Sequence, residues 1–270
     1  MSSAAVCLAT EKRTLLHFHG PDAERYLNGQ MTQDVRSCVP GQALTSCVTD
    51  AKGKVQFFIR IFRSGESPDL WVDAPFAERE ELHTRLTRYL IADEVEVEDE
   101  SENWEMTHLI NSEAPPQGAM VLHSARIASD GFDVWNPAGS PAPSATVLTD
   151  DAAEDSRIRH RIPAWGKEIT TGLLAPEAGL DRSAVSYRKG CYIGQEVLSR
   201  MKTAGKLNRR LATLLVSPSM AAGDALGAGI LTSVSPLPDP ETGLHPALGY
   251  LHKSQFELQE IEGAQVLGWA

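Results

Sequence analysis

The chain reads as an α+β protein that ends in a compact all-β module. Three observations predict this. Helical and strand periodicities are mixed over roughly the first 210 residues. Beyond Arg210 only short β-type runs remain, separated by Gly and Pro. The 270 residues are 42% hydrophobic and 23% charged, which suits a globular core without disulfide staples.

The elements follow in order. Residues 12–19 predict a strand leading to Gly20-Pro21, and Pro21 suits the first turn of a helix. That helix is expected over 22–31, with Ala23, Leu27 and Met31 on one face. Residues 43–49 and 54–62 predict a hairpin, joined by a tight turn at Asp50-Ala51-Lys52-Gly53. A short strand is expected at 70–73 and an amphipathic helix over 76–91. Further strands are expected at 94–98, 104–110 and 120–125. A Pro- and Gly-rich loop spans 137–143. A helix over 150–159 has acids in its first turn and arginines in its last, as the helix dipole favours. The β module is expected from runs at 211–216, 225–234, 247–252 and 264–269. At about 100–200 residues per domain the length allows roughly two, with regions 1–208 and 209–270.

The formal net charge of −11 argues against broad contact with nucleic acid or an anionic membrane. Between Arg182 and Arg210, however, eight basic residues accompany a single acid, Glu196. Such an island suits a small anionic ligand or one phosphate track, and equally a solvated basic face. Cys7, Cys38, Cys47 and Cys191 include no CxxC pair, so zinc and cluster-ligand frameworks gain no support. Cys38 and Cys47 could be bridged in principle. No signal peptide and no membrane-length apolar run is visible, so a cytoplasmic location is expected. His17 and His19 form an H-x-H pair. Without a carboxylate at obvious partner spacing they read as a wet strand face, and no metal site is expected. There is no P-loop, and the lone Gly227-Ala228-Gly229 does not make a dinucleotide site.

The strongest local signal is KGCYIGQE, residues 189–196, preceded by Arg188 and followed by Arg200. Gly190 and Gly194 let backbone approach a ligand closely. Arg188 and Lys189 stand beside Cys191, where cations favour a thiolate. Gln195 and Glu196 supply groups that pair with a heterocycle edge. The competing reading is a glycine-bent turn around a buried structural cysteine. Trp165, in IPAWGKEI, suits either stacking on a ring or core packing.

KGCYIGQE closely resembles the signature of the YgfZ-type folate-binding proteins, relatives of the glycine-cleavage T-protein (aminomethyltransferase). FHGPDAERYLNGQMTQDV (18–35), TDAKGKVQFFIRIF (49–62), IPAWGKEI (162–169) and LAPEAGL (174–180) resemble other blocks of that family in the same order. The resemblance covers most of the first 210 residues. It implies a ring-like, multi-lobed fold of two intertwined lobes around a folate cavity, with a C-terminal β-barrel. It implies tetrahydrofolate or a one-carbon derivative as cofactor. It also implies a role in assembly or repair of iron–sulfur enzymes, including tRNA-modifying ones, with those enzymes or their assembly factors as partners. Cys191 is then the functional thiol, facing the ligand. Arg188, Lys189, Gly190, Tyr192, Gly194, Gln195, Glu196, Arg200 and Trp165 are the folate-binding candidates, with Lys202 a further cation for the glutamate tail. The family's catalytic aspartate has its place at Phe57 or Phe58, and a folate-contacting glutamate near Arg159. A phenylalanine handles no proton, which disfavours standard aminomethyl transfer. A folate-dependent one-carbon transferase and a tRNA-binding module remain the alternatives.

Overall fold

Three sheets carry the chain. The computed structural model describes residues 5–65, 67–112 and 116–270. The first sheet has five strands in the spatial order Leu44–Thr49, Val55–Phe62, Leu70–Pro75, Arg13–His19 and Glu96–Asp99, every neighbour antiparallel. The helices Ala23–Gln30 and Arg79–Thr87 cover one of its faces. Leu27, Leu82 and Leu86 pack there against Leu16, Phe18, Ile59 and Ile61. Successive side chains on a strand point to opposite faces. Phe57, Ile59 and Ile61 therefore enter this core, while Phe58, Arg60 and Phe62 turn the other way.

The second sheet runs Thr146–Val147, Val6–Cys7, Trp104–Ile110, Phe132–Pro137 and Met120–His123. Leu15 and Phe62 of the first sheet meet Met106, Met120, Leu122 and Trp135 of the second in one apolar cluster. Each such buried side chain contributes roughly 1.5–3 kcal/mol. The third sheet has six strands and nearly closes into a barrel. Its order is Ala225–Leu226, Gly229–Val234, His245–His252, Arg209–Val216, Ala264–Trp269 and Glu260–Ile261. Tyr250 on this sheet donates its hydroxyl to the Glu168 carbonyl at 2.7 Å. Arg157, at the end of helix Asp150–Arg159, reaches both Glu168 and Ser233 at 2.8 Å.

Several sequence expectations needed revision. The expected helix over 76–91 is a short 3-10 turn, Phe76–Glu78, followed by Arg79–Thr87. Beyond Thr87, Tyr89 and Ile91 are exposed and find no core to reward further helix. The run 225–234 is a hairpin, because Gly227 at φ +59° reverses the chain between two strands. The strand Phe132–Pro137 was not anticipated, and its Trp135 is fully buried. Neither was the helix Gln195–Ala204, which begins inside the octapeptide and lies between left-handed Gly194 and Gly205. The four cysteines are free, so Cys38 and Cys47 are not bridged.

The predicted tight turn is present, with Asp50 Oδ1 accepting from the backbone N–H of Lys52 and Lys54 at 2.8 and 2.9 Å. The octapeptide packs directly on this turn. Thr49 donates its hydroxyl to the Ile193 carbonyl at 2.5 Å. Gly194 adopts φ +89°, and a Cβ there would meet the Asp50 carbonyl oxygen at 2.6 Å and Gly53 Cα at 2.9 Å. Backbone on both sides leaves nothing flexible to yield. Gly194→Ala is expected to cost about 2–4 kcal/mol through strain and overlap together. A thermal melt followed by circular dichroism should show a midpoint several degrees lower. An unchanged midpoint would mean that loop and turn do not touch.

Candidate functional site

Lys189 decides the shape of the octapeptide loop. Its ammonium is buried and donates to the backbone carbonyls of Asn28, Met31 and Gln33 at 2.5, 2.7 and 2.8 Å. Asn28 lies in the last turn of helix Ala23–Gln30, where carbonyls lack helical partners and the dipole favours a cation. Burial pushes the Lys189 pKa down to about 7. Surrounded by these three carbonyls, the Lys189 side chain anchors the loop.

The rest of the segment divides between inside and outside. Tyr192 is buried, with the Lys189 ammonium 5.0 Å from its ring centroid. Its hydroxyl has no hydrogen-bond partner among the described residues, and burial raises its pKa. Gln195 donates to the Lys189 carbonyl at 3.5 Å. Gly190 and Arg188 are exposed. Glu196 and Arg200 pair with each other at 2.6 Å on the exposed face of helix Gln195–Ala204. Lys202, two residues further on, lies 3.9 Å over the Tyr187 ring. Cys191 is exposed, which removes the reading of a buried structural cysteine.

A central cavity lies elsewhere, where the first two sheets meet the segment 161–183. It comprises two adjoining chambers of about 240 and 230 Å³, which share Phe58, Arg60, Ile162 and Pro163 as walls. Each alone falls short of the roughly 300–1,000 Å³ range of small-molecule sites, and together they lie in its lower part. Trp165 lines the first chamber and donates its indole N–H to Glu78 at 2.9 Å. Of the predicted ligand residues, Trp165 reaches these walls. Residues 188–200 line neither chamber, so the Cys191 thiol does not face this cavity as expected.

Sequence patterning missed the groups that give the cavity its charge. Arg13, Arg60 and Arg126 line the first chamber. Arg13 pairs with Asp73 and, at 2.9 Å, with Glu11. Arg126 bridges Asp73 at 2.5 Å and Asp133 at 2.7 Å. Asp133 in turn meets His108 Nδ1 at 2.8 Å. Burial works to raise Asp133, yet Arg126 and His108 hold it well below the usual carboxylate range. Arg60 differs from its neighbours. It donates to the Ala125 carbonyl at 2.9 Å, but its Nε is buried without a partner among the described residues. Burial, assisted by the Arg126 cation, pushes Arg60 down to about 9. The residues that build this cluster are scattered from 11 to 133, and no local spacing marks them. Runs such as Phe57-Phe58-Ile59-Arg60 carried a weak signal, namely a charge on an otherwise apolar strand.

Phe58 occupies the cavity face of its strand, while Phe57 faces the core. An aromatic ring thus stands where the resemblance implies a catalytic aspartate. Arg159, near the implied glutamate position, pairs with Asp155 at 2.8 Å and with Asp239 at 3.6 Å. Among the described residues no helix is long and apolar enough to cross a membrane. The charge network itself is testable. Asp133→Asn leaves Arg126 with one fewer carboxylate in a buried site, where removing one partner of an ion pair costs about 3–5 kcal/mol. Denaturant unfolding should report a loss of that order. A loss below about 1 kcal/mol would show that the network is not structural.

No family model matches the chain. It is 26% identical over 227 residues to the tRNA-modifying protein YgfZ of Escherichia fergusonii, covering 74% of this chain and 68% of that one. The same figures hold for the protein of that name from Shigella boydii. Among solved structures, the glycine cleavage system aminomethyltransferase T of Bartonella henselae superposes with a TM-score of 0.76. That match covers 98% of this chain and 84% of the other, at 16% identity, and so shows a shared fold. The octapeptide and the sequence likeness point the same way: the chain is similar to the YgfZ proteins and has the fold of the aminomethyltransferase T structure.

Proposed function

We propose that this protein binds a reduced folate in the central cavity and serves as an accessory factor in assembly or repair of iron–sulfur enzymes, including tRNA-modifying ones. The observation that carries the ligand claim is Arg60. Its guanidinium is buried on a wall shared by both chambers, has no carboxylate partner at salt-bridge distance among the described residues, and leaves one N–H unsatisfied. A guanidinium without a carboxylate partner on a cavity wall is suited to donate charge-assisted hydrogen bonds to a ligand oxygen. Phe58 and Trp165 add aromatic surface to the walls for a flat heterocycle. When bound, a reduced folate supplies one-carbon units or reducing equivalents. This chain's residues orient it: Arg60 donates to a carbonyl or carboxylate, and Ile162 and Pro163 exclude water.

Aminomethyl transfer is the less favoured reading because Phe58 places no proton-handling group on that wall. Cys191 serves a separate purpose in this proposal. Its exposed thiol, on a loop pinned by Lys189, is available to a protein partner rather than to the cavity ligand. The tRNA link enters through the named relatives and through client enzymes.

Titration of the purified protein with tetrahydrofolate should give saturable binding below millimolar concentration, weakened about tenfold or more in Arg60→Gln, the order expected for losing a charge-assisted hydrogen bond. Absence of saturable binding removes the ligand claim. Cys191→Ser should melt at the wild-type temperature, because the side chain is exposed, yet fail to restore iron–sulfur enzyme activity in a maturation-deficient host. Full restoration would show that the thiol is dispensable.

A further inference from the structure

The strand Arg13–His19 carries two imidazoles on the face opposite the helices. Antiparallel pairing sets Trp71 directly beside His17 on one side and Glu98 on the other, with Glu96 beside His19. Such directly paired residues share a face, with Cβ atoms about 4.5–5.5 Å apart. The His17 ring stacks on Trp71 at 4.1 Å with planes 10° apart, and its centroid lies 5.0 Å from that of His19. His17 Nδ1 is 3.3 Å from one Glu98 oxygen, and His19 Nε2 is 3.8 Å from the other. Asp69 lies 3.4 Å from His17 Nε2, and Glu96 lies 3.9 Å from His19 Nε2. Ligand atoms of His17, His19 and Glu98 all fall within 4.8 Å of one another. Nε2 of each histidine is buried without a hydrogen-bond partner among the described residues.

We propose that His17, His19 and Glu98 form a binding site for a divalent first-row transition ion of the zinc class. Three carboxylates around two imidazoles create a surplus of negative charge that one dication largely offsets. Imidazole nitrogen with carboxylate oxygen is a donor set that suits zinc. Asp69, 3.4 Å from His17 Nε2 but not hydrogen-bonded to it, is near enough to turn onto that proton and leave Nδ1 for the ion. Stacking on Trp71 fixes the ring plane. Glu98, more than half exposed, can swing to admit the ion. Three protein ligands leave a position open for water or a partner group. The site shares no residue with the walls of the central cavity or with the octapeptide.

Cobalt(II) titration of the full chain tests this, since its visible d–d bands report the donor set. One saturable equivalent is expected, displaced by zinc and without the thiolate-to-cobalt charge-transfer band that exposed Cys191 would produce. His19→Ala and Glu98→Gln should weaken binding at least about tenfold while keeping the wild-type circular dichroism spectrum. Zinc should raise the thermal midpoint of the wild type but not of Glu98→Gln, a variant at an exposed side chain that leaves the core untouched. No saturable binding, equal affinity in both variants, or a thiolate band as the sole signal would each overturn the assignment.

Discussion

A buried chain of charges runs from Arg13 through Asp73 and Arg126 to Asp133 and His108, and the rest of the molecule is arranged around it. Asp73 belongs to the first sheet and Asp133 to the second, so Arg126 ties the two together by one guanidinium. Ion pairs in such a place recover their desolvation cost when geometry is good and hydrogen bonds are complete. The adjoining apolar cluster of Leu15, Phe62, Met106 and Trp135 supplies the net driving force for the same junction. Polar and apolar contacts therefore divide the work: burial holds the sheets together, and the charges set their orientation. The cavity is a consequence, because Arg13, Arg60 and Arg126 form part of its wall.

The octapeptide works by a different principle. Lys189 spends its ammonium on backbone carbonyls, and Gly194 surrenders a side chain so that two backbones can meet. Both residues look like ligand contacts in a linear reading, since basic and glycine residues recur in phosphate and anion sites. Here they hold the loop against helix Ala23–Gln30 and the Asp50–Gly53 turn, and Cys191 on that loop is exposed.

Cross-strand pairing produces the third chemical feature. His17 and Glu98 are 81 residues apart, yet the ladder makes them neighbours. The H-x-H spacing alone suggested a wet strand face, because the carboxylates that complete the constellation come from another strand and from the loop before Trp71.

Local chemistry was legible in the amino-acid order. The strand over 12–19 running into Gly20-Pro21 was legible, the β-branched and aromatic run marked Val55–Phe62, the Asp50–Gly53 turn announced itself, and the charges of Asp150–Arg159 matched its dipole. The likeness to the YgfZ-type proteins was legible too, because an octapeptide is contiguous. Tertiary structure alone decided that Lys189 is an anchor, that Cys191 lies away from the cavity walls, and that Arg60 is a buried cation on them with no ion-pair partner among the described residues. The physical reason is that periodicity and turn propensity act over a few residues. Desolvation and pairing of a charge depend on groups that meet only when distant strands and sheets are packed.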